Sequence, residues 1–187
     1  MIQRIQSFYL ILAACAMALC FMFPVATYKV TLPALDGSQQ EVTFKYGIVP
    51  SKTAQVENEV EMMMPLNAMA KEGYRKAPWW PLAGVCGAVI VLSLVALFMY
   101  KNRMKQVRVV AVGFLLSVVY VFMAFVWIVD AFRKGMNGVI GNQVGVEWVT
   151  TYNVGTWAPI AAVVLLFLAQ NAIKRDEKKV RAADRLR

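Results

Sequence analysis

The sequence predicts an all-α integral membrane protein: a four-transmembrane-helix bundle with a small extracytoplasmic β element, a hairpin plus a possible strand from the second outer loop. Three observations predict it. The 187-residue chain is 59% hydrophobic, against roughly 45–50% for soluble domains. Its apolar residues gather into four long runs, about 5–27, 79–100, 109–129 and 157–173, most of them long enough for about 30 Å of hydrocarbon. Its excess positive charge is confined to alternate connecting segments, as the positive-inside rule requires.

The charge pattern fixes the expected topology. Lys101–Arg108 (KNRMKQVR) carries four cations and no anion between two apolar runs, and reads as a cytoplasmic loop. The outer loop 28–78 holds six cations and six anions, and the outer loop 130–156 holds two of each. The cytoplasmic tail 174–187 has seven cations and three anions. With Arg4, the inner segments therefore account for the whole formal charge of +9. Both termini are expected in the cytoplasm, within a single membrane domain spanning 1–187. All five tryptophans (Trp79, Trp80, Trp127, Trp148, Trp157) fall on the expected outer side, four of them at helix ends, as in an aromatic belt. Because architecture explains the basic excess, no nucleic-acid partner is implied.

The first run, Ile5–Thr27, reads as an uncleaved helix. It is long for a signal-peptide core, and Pro24-Val25-Ala26 is a poor cleavage site. Leu12-Ala13-Ala14-Cys15 resembles a lipobox, but eleven apolar residues follow it instead of a polar mature chain. Within the outer loop 28–78, Tyr28, Val30 and Leu32 alternate with polar residues, as do Val42, Phe44 and Tyr46. With Asp36-Gly37-Ser38 between them this predicts a β-hairpin. Ser51–Ala77 is open between helix and strand: Val56 and Val60 fit either, and Met62-Met63-Met64-Pro65 ends whatever precedes it. Three adjacent methionines cannot converge on one ion, so they read as packing.

The second run opens with Pro78-Trp79-Trp80-Pro81, prolines where a helix starts. It carries two small-xxx-small pairs, Ala83 with Gly87 and Gly84 with Ala88. Gly113 with Ser117, and Ala158 with Ala162, repeat the feature in the third and fourth runs. Such pairs let helix backbones approach closely, so all eight residues are expected at packing faces. Gly135, Gly138, Gly141 and Gly145 predict a flexible second outer loop, and Glu147–Tyr152 predicts a short strand that could join the hairpin.

Chemistry is sparse. There is no histidine, and Cys15, Cys20 and Cys86 sit inside apolar runs without metal or disulfide spacing. They read as buried filler. The four runs contain no ionisable residue, which argues against a carrier of charged substrates. Asp130 and Glu147 are two outer carboxylates; Asp130 is expected to offset Arg133 or Lys134, or to face water. No catalytic residue, cofactor or metal is expected, and the protein is not expected to be an enzyme. The tail is the most distinctive surface: Lys178, Lys179, Arg181, Arg185 and Arg187 surround the helically spaced Val180, Ala183 and Leu186. Three readings stay open: a helix against anionic headgroups, a docking helix for a partner, or a solvated tail.

MIQRIQSFYL (Met1–Leu10) and IKRDEKKVRAADRLR (Ile173–Arg187) resemble the opening and closing signatures of a Bacteroidota membrane-protein family known as domain of unknown function 4293. The resemblance implies an integral protein of the bacterial inner membrane, with no catalytic residue to carry over. The expected role is a non-catalytic partner or assembly subunit for another envelope protein, with the lipid bilayer and a membrane or cytoplasmic protein as partners. The alternative is a carrier of a lipid or small hydrophobic molecule.

Overall fold

The structure, a computed structural model, describes residues 3–33, 39–49, 54–56, 66–100, 102–140 and 148–184. The elements run α1 (Gln3–Met22), β1 (Ala26–Pro33), β2 (Gln39–Tyr46), β3 (Ala54–Val56), α2 (Leu66–Lys76), α3 (Trp80–Phe98), α4 (Arg103–Phe122), a π turn (Met123–Ile128), α5 (Val129–Ile140), β4 (Trp148–Tyr152) and α6 (Val154–Asp184). Among the described residues, four helical stretches are long and apolar enough to cross a membrane: Ile5–Met22, Trp80–Phe98, Arg103–Val139 and Val154–Val180.

By its internal packing the chain forms two compact units. One comprises Met1–Leu19, Gly84–Val121 and Ala158–Arg187; the other comprises Cys20–Ala83 and Phe122–Trp157.

The first unit is a helical bundle, and its buried positions follow one rule. They are Gln6, Leu10, Ala13, Ala14 and Met17 in α1, and Cys86, Val89, Ser93 and Ala96 in α3. In α4 they are Gln106, Val110, Gly113, Ser117 and Tyr120. In α6 they are Ala158, Pro159, Ala162, Leu166, Ala169, Ile173 and Asp176. Steps of three and four alternate almost throughout, the seam of helices packed side by side. Specific contacts close the ring. The Cys86 thiol donates to Met17 O at 3.2 Å, Gly113 lies against Leu92 and Leu166, Phe114 meets Phe167, and Gln6 Nε2 donates to Asp176 Oδ2. Away from the seam, large apolar side chains such as Phe8, Val91, Leu115 and Phe167 are exposed.

The second unit is built on a four-stranded antiparallel sheet of order β3-β2-β1-β4. The hairpin pairs Tyr28 with Phe44 and Val30 with Val42. Its predicted apolar face, Tyr28, Val30, Leu32, Val42, Phe44 and Tyr46, is wholly buried. The expected strand from the second outer loop is β4, whose Trp148–Tyr152 lies along β1. Below the sheet sits Phe132 of α5, ringed by Tyr28, Tyr46 and Tyr74 at centroid distances of 5.2, 4.8 and 5.2 Å. Two tyrosines tie the sheet to helices: Tyr28 donates to Val129 O at 2.9 Å and Tyr46 to Ala77 O at 3.2 Å. Helices α2 and α5 touch so closely that a methyl on Gly135 would stand 2.7 Å from Glu72 O and 2.9 Å from Gly73 Cα.

Secondary structure runs across several of the expected segment bounds. The loop Lys101–Arg108 is helical from Arg103, and Gln106 N–H donates to Asn102 O at 2.9 Å. Charge marks where a chain should leave the membrane, while arginine, methionine, lysine and glutamine remain good helix formers. For the same reason the third run does not end as a helix at 129. It continues through the π turn to Ile140, so Gly135 and Gly138, expected in a flexible loop, are helical. The expected tail from 174 begins inside a helix, since α6 is continuous to Asp184. The first run ends earlier than expected, because Pro24 follows α1 and Ala26 already pairs in β1. Of the ambiguous stretch, Ala54–Val56 is strand and Leu66–Lys76 is helix; Val60, the three methionines, Gly141, Gly145 and Glu147 lie outside the described residues.

Candidate functional site

The polar groups of the helical unit gather toward one end of its seam. Gln6, Gln106 and Asp176 occupy its terminal positions and are all buried. Each makes a bond. Gln6 donates to the Asp176 carboxylate, and Gln106 Nε2 donates to Ala96 O at 3.0 Å. A buried carboxylate with a neutral donor is held by hydrogen bonding, and losing that donor would strand it. The two buried serines bond back to their own helices, Ser93 to Val89 O at 2.8 Å and Ser117 to Gly113 O at 2.9 Å.

Beyond this polar layer lies a cavity of about 560 Å³, lined by Met104 from the first turn of α4 and by Asn171, Lys174, Arg175, Glu177 and Lys178 of α6. Asn171, Lys174, Arg175 and Lys178 stand at steps of 3, 1 and 3, one face of a helix. The lining carries three cations and one carboxylate. The start of a 20-residue helix borders it, a place that favours anions. One residue before Met104, the Arg103 Nη1 is buried with no hydrogen-bond partner among the described residues.

The expected site residues fare unevenly. Lys178 lines the cavity, and Lys179 is exposed on the same helix. Arg181 lies within α6, while Arg185 and Arg187 fall outside the described residues. Val180, expected on an apolar stripe, is exposed. Lys174, Arg175 and Asn171 were missed, although the 171–174–175–178 spacing is readable once the helix is known to continue past 173.

Among the packing residues, Gly113, Ser117, Ala158 and Ala162 are buried. The two pairs in α3 lie off the bundle's own buried face. Among the described residues outside α3's own backbone, a methyl on Gly84 or Gly87 would meet nothing within 4 Å; Gly84 is exposed, and Ala83 and Ala88 are half-buried. The buried positions of α3 are Leu82, Cys86, Val89, Ser93 and Ala96, which turns the glycines off that face. Cysteine placement also differs: Cys20 and Cys86 are buried, but Cys15 is exposed. Asp130 and Arg133 both face water.

The sequence model of a family described as a domain of unknown function, DUF4293, matches residues 2–186. No curated protein matches the chain.

Proposed function

Since the chain belongs to the DUF4293 family, whose description assigns no activity, we propose from its own surfaces that it is a non-catalytic scaffold or assembly subunit of the bacterial inner membrane. In this reading the four apolar helical stretches cross the bilayer, both termini are cytoplasmic, and the sheet stands on the far side. The charge asymmetry between the connecting segments supports the orientation. The exposed apolar side chains away from the bundle seam support immersion in lipid.

The observation that carries the partner role is the open small-residue face of α3. Ala83, Gly84, Gly87 and Ala88 give a surface on which another helix could approach closely, and among the described residues nothing beyond the neighbouring turns of α3 lies within 4 Å of a methyl at either glycine. Gln6, Gln106 and Asp176 are engaged in bonds between helices, and Ser93 and Ser117 in bonds to their own helices, which supports a structural rather than a chemical role.

The test is co-purification in mild detergent with a photo-crosslinker at Gly84 or Gly87. A discrete adduct with a membrane protein is expected, and Gly84→Leu with Gly87→Leu should abolish co-purification of that protein. Recovery of the chain alone, or a partner indifferent to both leucines, overturns the reading.

A further inference from the structure

We propose that the cavity between the first turn of α4 and the basic segment of α6 is a binding site for the headgroup phosphate of an anionic phospholipid. The inference rests on the membrane reading above, but not on the partner face of α3. Two features converge on an anion: the cations Lys174, Arg175 and Lys178 that line the cavity, and the amino-terminal end of α4 beside Met104. Asn171 adds an amide that can donate. Glu177 also lines the site and offsets one of the positive charges.

The face of α6 that meets the cavity identifies the ligand as a lipid. Val164, Leu168, Asn171, Arg175 and Lys178 follow one another at helical steps of 4, 3, 4 and 3, so they share a face. Its first two members are exposed apolar side chains; its last three line the cavity. Along one line the surface changes from hydrocarbon-compatible to phosphate-compatible over about 10 Å, at about 1.5 Å per residue. A free phosphate would use only the second half of that face. A phospholipid uses both halves, its acyl chains beside Val164 and Leu168 and its phosphate beside Arg175 and Lys178.

The test is native mass spectrometry of the full chain from detergent supplemented with phosphatidylglycerol or phosphatidylcholine. Retention of phosphatidylglycerol at least about tenfold above phosphatidylcholine is expected, from a net charge of two at the site. The triple variant Lys174→Gln, Arg175→Gln, Lys178→Gln should lose that preference, while Arg133→Gln with Lys134→Gln should keep it. Should the triple variant fail to fold, Arg175→Gln alone must lower the preference. Equal retention of the two lipids, or an unchanged preference in a folded cavity variant, overturns the proposal. Displacement of the lipid by millimolar inorganic phosphate would make this a free-anion site and overturn it as well. Because the readout is independent of the α3 face, its failure leaves the scaffold reading standing, and failure of the crosslinking experiment leaves this one standing.

Discussion

At the scale of single residues, the buried polar groups matter most. Gln6 and Asp176, 170 positions apart, are both buried and bonded to each other. Gln6→Leu should therefore lower stability by about 1–3 kcal/mol, because the carboxylate loses its donor while staying out of water. The thermal midpoint of the detergent-solubilised protein checks this, and a midpoint unchanged from the parent would contradict it. The tyrosines under the sheet give a pH signature. Burial, and next the neighbouring Tyr46, push the Tyr28 hydroxyl well above its usual value near 10; burial, and next Tyr74, do the same to Tyr46. A folded-state pKa above the unfolded one means that the unfolded chain gives up its proton first. That contribution to stability is complete below about pH 10 and is lost as pH rises further. Stability against pH should thus turn down above about pH 10, and more gently in Tyr28→Phe. On the solvent-facing side, the side-chain hydrogen bond from Arg75 holds the Glu72 carboxyl below the usual carboxylate range; its small contribution is present at neutral pH and fades on acidification through that lowered pKa.

At the scale of elements, α2 and α5 offer a matched pair of substitutions. Gly135→Ala would drive a methyl into the backbone of α2, 2.7 Å from Glu72 O, and should destabilise by about 1–3 kcal/mol. Gly138→Ala, three residues along the same helix, meets nothing within 4 Å and should stabilise by about 0.5–1 kcal/mol through helix propensity. Opposite shifts in thermal midpoint are the expected result, and equal shifts would mean that the two helices do not touch as described. The same helix shows where sequence reading stops. The hairpin was legible because alternation over Tyr28–Leu32 and Val42–Tyr46 reports burial of one sheet face directly. Continuation of α5 beyond Ile128 was not. Asp130, Arg133 and Lys134 announce the water boundary, and glycines suggest a loop, yet Gly135 is there so that Glu72 and Gly73 can lie against it. Hydropathy marks where the apolar run ends, and only packing reveals that the helix continues past it.

At the scale of the whole molecule, length separates helix from membrane span. The helical stretch Arg103–Val139 has 37 residues, about 55 Å at 1.5 Å per residue, well beyond the roughly 30 Å of hydrocarbon. The four apolar runs were therefore readable while their helical ends were not. The candidate site was half-readable: its basic tail was visible as composition, but Lys174, Arg175 and Asn171 needed the knowledge that α6 runs unbroken to Asp184. The topology proposed for the chain predicts that a reporter active only in the cytoplasm works when fused after Arg187, and that one inserted in the 34–38 connection of the hairpin does not. Activity at the hairpin position would reverse the assignment of sides.

The π turn at Met123–Ile128 has a consequence for tolerance to deletion. A widened turn of this kind accommodates one residue more than the regular spiral on either side. Excising Val126, whose side chain is exposed, should let the coil tighten while Phe132 keeps its place among the tyrosines. Excising one residue from α5 itself has no such slack to draw on, and should swing the rest of that helix by about 100°.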